Sequence, residues 1–121
     1  MKTRIAIVML ALIAIPLWGA EKTKSVRRTS NGSSAEGEKV FHANCNMCHF
    51  ADKTDNKMGP GLKGLFKNKL LPASHTPATE ENVREQILKG NPHGKPMPMP
   101  GFADKLKPEQ VDSLIQYLKT L

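Results

Sequence analysis

Cys45 and Cys48 are the only thiols in 121 residues. That scarcity excludes a disulfide framework, and a bridge between two positions so close in sequence would be small and strained. A closed tetrahedral zinc site would have to recruit His49 and a remote histidine. No cysteine lies near residue 20, so a lipid anchor there has no thiol to carry it. Aromatic residues are also few, with one Trp, one Tyr and four Phe. A basic stripe interleaved with aromatics, which a nucleic-acid binder would want, is missing. No segment alternates apolar and polar residues as a strand would, and no internal repeat is present. The apolar run from Ile5 to Trp18 is 14 residues, short of the ~20 that a membrane-spanning helix needs.

What precedes and follows that run gives it a meaning. Lys2 and Arg4 form a positive start, Pro16 interrupts the run near its end, and Gly19-Ala20 are small residues ahead of Glu21. Residues 1–20 therefore read as a signal peptide for export. Trp18 is large for the position two before a cut at Ala20, so the segment is either cleaved there or kept as an uncleaved anchor. Residues 21–34 hold one apolar side chain, Val26, among charges and small polar groups, which predicts a disordered basic linker. Fully extended it would reach ~45 Å. The remaining 87 residues, 35–121, make one domain, whose core is marginal at this size. The formal charge is +7, of which Lys2 and Arg4 carry two, leaving +5 from Glu21 onward. Such a surface favours acidic partners, and with export it argues against nucleic acid.

The chemistry concentrates in Cys45-Asn46-Met47-Cys48-His49. C-x-x-C-H is the spacing of covalent c-type haem attachment: two thiols on one helical turn each add to a vinyl group on one porphyrin edge, and the next residue is a proximal ligand for the iron. A thioredoxin-like dithiol would want an alternating strand before the motif, whereas residues 35–44 read as helix. A large apolar macrocycle would also supply buried surface that so short a domain lacks.

Three helices follow from local signals. Ser33-x-x-Glu36 is a capping box for the first, whose Gly37, Phe41 and Cys45 share one face. Thr79 caps a second, with Glu80 and Glu81 in its first turn, Val83, Ile87 and Leu88 as its stripe and Gly90 as its stop. Pro108 opens the last, and Val111, Leu114, Ile115, Leu118 and Leu121 keep helical spacing to the C-terminus. Pro and Gly punctuate the connections.

Gly37-x-x-x-Phe41-x-x-x-Cys45-x-x-Cys48-His49 resembles the opening of class I c-type cytochromes, and the resemblance runs over residues 35–121. It implies an all-α, cytochrome c-like fold of three to four main helices, the N- and C-terminal ones crossing, around one covalently bound haem c per chain. Gly59-Pro60-x-Leu62-x-Gly64 is similar to the family's G-P-x-L-x-G, which implies that the Pro60 carbonyl accepts from the proximal His49. The family's M-P-x-F with a leucine four residues past the aromatic is matched by Met99, Pro100, Phe102 and Leu106. Met97 lacks the aromatic in register. The resemblance thus implies His49 and Met99 as iron ligands, Met97 as a packing residue at the haem edge, Met47 and Met58 as packing residues, and Tyr117 against Gly37 and Phe41. His42 is expected at the surface or rim, and His75 and His93 in loops.

Two protein ligands leave iron no open position, so the implied function is that of a one-electron carrier rather than an enzyme, working between redox proteins in the periplasm or at the membrane. Membrane attachment would require the N-terminal segment to stay uncut. The alternatives are a cytochrome subunit of an oxidase or reductase complex, a haem peroxidase, which would want a second C-x-x-C-H, and a gas-binding haem protein, which would carry the motif near the C-terminus. Lys53, Lys57, Lys63, Lys67, Lys69, Lys95 and Lys105 are the lysines expected to steer partners with acidic docking surfaces.

Overall fold

A computed structural model describes residues 32–121; the expected signal peptide and nearly all of the expected linker lie outside the described residues. The chain forms α1 (Ser34–Asn44), a single 3-10 turn at Leu65–Lys67, α2 (Glu80–Lys89) and α3 (Pro108–Leu118). Among the described residues there is no strand, only isolated bridges pairing Leu70 with Pro77 and Asn91 with Met99.

The helix starts form as their local chemistry predicts. Ser33 is extended and its hydroxyl accepts from the Glu36 N–H at 3.1 Å, which satisfies one of the orphan donors of the first turn. Glu36 does not close the box; its carboxylate takes Lys39 at 3.2 Å instead. With Ser33 as its cap, α1 begins at Ser34. Thr79 accepts from the Asn82 N–H and starts α2, which stops at Gly90, where φ is +75°. That left-handed value suits glycine alone without strain. Pro108 occupies the first turn of α3, and the Gln110 side chain accepts from the Lys107 N–H at 3.0 Å. The spacing predicted helix to Leu121, but α3 ends at Leu118. There the Lys119 N–H returns to the Ile115 carbonyl and the Thr120 N–H and hydroxyl both take that of Tyr117, so the terminal carbonyls are satisfied by a closing turn.

α1 and α3 form the frame. Gly37 lies directly on the Ser113 backbone and 2.8 Å from Tyr117 Cβ, measured from where a Cβ on Gly37 would stand. This close approach brings the Phe41 and Tyr117 rings to 5.5 Å and seals Phe41, Val111, Leu114 and Ile115 to 1% exposure or less. α2 joins α3 through Arg84 and Asp112, 2.6 Å apart and mostly shielded, and through a Glu80–Lys119 pair nearer the surface. Val83 and Ile87 of α2 complete the core with Leu65, Leu71, Phe102, Leu106 and Leu118.

Candidate functional site

The C-x-x-C-H segment grows out of the end of α1. Cys45 is the C-cap, and the N–H groups of Cys48 and His49 both return to its carbonyl, at 3.0 and 2.9 Å. One hydrogen-bonded turn thus carries Cys45, Cys48 and His49, all half-buried, while Asn46 and Met47 are exposed. Met47 is 75% exposed and stands at the rim of the cleft described below. Burial pushes the Cys45 thiol up to about 11, with Cys48 adding to the rise, so as a free thiol it stays protonated at neutral pH.

The next segment folds back onto this turn. The Gly59 N–H binds the Cys48 carbonyl and the Leu62 N–H binds that of Phe50, each at 2.8 Å. Gly59 then lies flat against the His49 ring, so close that a Cβ would strike it. The neighbouring Pro60 carbonyl is 2.7 Å from His49 Nδ1. A carbonyl only accepts, so Nδ1 carries the proton and the Nε2 lone pair is left free. The placement of Gly59 on the ring was not evident from the sequence, where Gly-Pro-Gly reads equally as a turn.

On the other side stands Met99. Its N–H and carbonyl are paired to Asn91 at 3.0 and 2.9 Å, and the next residues dock on α2 through Phe102 N–H to the Ile87 carbonyl, at 3.0 Å. The Met99 carbonyl passes directly over Gly90, where a Cβ would collide. Gln86 reaches the Met99 sulfur, Nε2 to Sδ 3.9 Å, while its Oε1 is buried without a partner among the described residues. Sequence reasoning missed Gln86, which reads as an unremarked polar residue on α2. Two residues earlier, Met97 is 53% exposed.

Between these walls lie two adjoining cavities of about 60 and 400 Å³. Cys45, His49, Pro60, Ala73, Gln86 and Met99 line both, so they are two parts of one cleft. The inner part reaches the core at Phe41, Ile87 and Leu114; the outer part adds Cys48, Met58 and Met97. Among the described residues, no acidic side chain lines either part. His42, His75 and His93 are exposed, as are all seven candidate steering lysines. Lys53 and Lys57 flank the Phe50 ring at 5.0 and 5.2 Å, and Lys105 covers Phe102 at 5.4 Å.

This arrangement has known counterparts. The cytochrome c family profile matches residues 34–121, and a cytochrome c of Chlamydomonas reinhardtii is 35% identical over 102 residues, covering 73% of this chain and 88% of that protein. The chain belongs to the cytochrome c family. A cytochrome c6 of Gloeothece citriformis is 30% identical over 87 residues, covering 72% of this chain and 70% of the relative. In fold, the chain is similar to cytochrome c6 from the diatom Phaeodactylum tricornutum, with a TM-score of 0.55 and 24% identity over 74% of this chain and 93% of that one.

Cytochromes c of this class are haem-based electron carriers that bind haem c covalently through the C-x-x-C-H spacing, which Cys45, Cys48 and His49 supply. The cleft fits that group: it is large enough for a cofactor, walled largely by apolar side chains, and offers two thiols, one imidazole with a free Nε2 and several thioethers, of which Met99 alone lines both parts. Those donors are the soft and borderline ones that haem iron takes from proteins.

Proposed function

We propose that this cytochrome c carries one electron at a time between redox proteins outside the cytoplasmic membrane, with Cys45 and Cys48 as thioether anchors, His49 and Met99 as axial ligands and Pro60 as the orienting partner of His49. When bound, the haem supplies a one-electron iron couple. The observation that carries the ligand reading is the shared lining: His49 and Met99 both face the inner and the outer part of one cleft. Met97 faces only the outer part and is half exposed.

The residues around the pair have separate tasks. The Pro60 carbonyl fixes the His49 tautomer and raises the basicity of its free nitrogen. Asn91 holds the Met99 backbone from both its N–H and its carbonyl, so the thioether presents itself without reordering. The Gln86 amide, beside the sulfur, limits the rotamers open to Met99. Phe41, Ile87 and Leu114 exclude water from the inner cleft and keep its dielectric low. Were His49 and Met99 both to hold the iron, no position would be left for a substrate, which supports a carrier over a peroxidase or a gas sensor.

Docking would occur where the cleft opens, beside Met47 and Met97, with the exposed lysines drawing in acidic partner surfaces. Residues 1–20 act as the export signal, cleaved or kept as an anchor, and residues 21–34 as a basic linker to the domain. The test is carbon monoxide binding to the ferrous protein at neutral pH. Stable His49 and Met99 ligation predicts little binding; ready binding would show an open iron position and overturn the carrier reading in favour of a gas-binding or catalytic one.

A further inference from the structure

Every methionine among the described residues, Met47, Met58, Met97 and Met99, lines the outer part of the cleft. Met99 alone continues into the inner part. Two of the other three are exposed, Met47 at 75% and Met97 at 53%, whereas Met58 and Met99 are half-buried. Among the described residues one further large apolar side chain is exposed, Leu70, and it lines neither part of the cleft. The exposed apolar groups at the cleft mouth are thus thioethers.

Leucine would give the mouth much the same apolar volume, since Leu and Met exchange at little cost. What sets methionine apart is a soft sulfur that accepts an oxygen atom to become the sulfoxide. With hydrogen peroxide as the oxidant, the sulfur lone pair attacks one peroxide oxygen. An S–O bond forms and the O–O bond breaks; the sulfur loses two electrons and the other oxygen leaves as water.

The four sulfurs do not face this reaction equally. Met47 and Met97 meet solvent directly. Met99 is held by Asn91 through its N–H and carbonyl, at 3.0 and 2.9 Å, and Gln86 Nε2 stands 3.9 Å from its sulfur, engaging the electrons that would attack peroxide. Iron ligation, on the reading above, occupies a lone pair of the same sulfur. The cost of oxidation also differs. A sulfoxide at an exposed position is solvated by water, whereas at Met99 it would replace the soft donor with a polar group.

From this arrangement we infer that Met47 and Met97 are oxidation sites that guard the axial thioether, each consuming one molecule of hydrogen peroxide in place of Met99. One guard sits on the C-x-x-C-H turn and the other two residues before Met99, so both segments that would hold the cofactor carry one. Sulfoxide reductases reverse the product, which allows the guard to be reset. The inference rests on the ligand reading above and adds a modification chemistry for the exposed rim.

The experiment treats ferric holoprotein with one equivalent of hydrogen peroxide per exposed thioether until the oxidant is consumed, then reads peptide mass spectra and the methionine–iron absorption band. Wild type is compared with Met47→Leu, Met97→Leu and the double variant. Wild type should gain one oxygen at Met47 and one at Met97, with Met99 unoxidised and the band intact. At the same dose the double variant should gain oxygen at Met99 and lose the band, and each single variant should fall between. Oxygen at Met99 of the wild type ahead of the exposed pair would overturn the inference, as would a double variant whose Met99 peptide and band stay unchanged. If the double variant carries no haem, the wild-type peptide map decides alone. A wild type lacking the band before peroxide is added would refute the ligand reading instead, and the peptide map would still show which sulfurs react first.

Discussion

Replacing Gly37 with alanine sets two physical effects against each other. Helix propensity alone favours the change, since Ala in a helix interior is better than Gly by about 1 kcal/mol. Packing opposes it. The added methyl group would run into the Ser113 carbonyl and stand 2.8 Å from Tyr117 Cβ, well inside ordinary carbon–carbon contact at about 3.5–4.0 Å. The obstacle is largely helix backbone, so α3 as a whole must retreat by about 1 Å. A gap of that size forfeits a quarter to a half of each dispersion contact across it, and the face that opens holds Phe41, Val111, Leu114 and Ile115. Overpacking of this kind costs roughly 1–3 kcal/mol and sometimes more; taking about 3 for a backbone clash, the net loss is about 2 kcal/mol. For a domain of this size that lowers Tm by about 8–16 °C. Thermal unfolding of the holoprotein, followed by far-ultraviolet dichroism and by haem absorption, measures it. Ala35→Gly, at an exposed position on the same helix, should cost no more than about 1 kcal/mol. A Gly37→Ala protein as stable as wild type, or more so, would refute the view that this contact sets the spacing of the terminal helices.

Gly59→Ala should displace the His49 ring that now lies against the backbone and lengthen its bond to Pro60; a weakened or altered ligand-field spectrum, with a stability loss of roughly 1–3 kcal/mol, is the expected result. Arg84→Met removes one partner of the shielded 2.6 Å pair with Asp112 and should cost about 1–3 kcal/mol, read from the urea midpoint at unchanged m-value. Electron-transfer rates with an acidic partner should drop steeply as ionic strength rises and the Debye length shrinks toward ~3 Å at 1 M salt; rates indifferent to salt would sink the steering role of the exposed lysines.

Much of the fold was legible because its signals are local. Ser33, Thr79, Pro108 and Gly90 mark helix ends through hydrogen bonds and backbone preferences that span a few residues, and each acts as expected. The C-x-x-C-H motif was legible for the same reason: Cys45, Cys48 and His49 share one hydrogen-bonded turn. What escaped depends on groups remote in sequence. Gly59 matters because the Cys48 carbonyl draws it onto His49, and Gln86 because the segment thirteen residues later passes over α2. α3 was overextended since apolar spacing continues beyond the point where the backbone closes.

The central claim, that the iron of this cytochrome is held between His49 and Met99, is tested most directly by the ferric methionine–iron absorption band in Met99→Ala and Met97→Ala. The account predicts that the band vanishes in Met99→Ala and persists in Met97→Ala. Survival of the band in Met99→Ala, with its loss in Met97→Ala, would contradict it and move the sixth ligand to the exposed methionine.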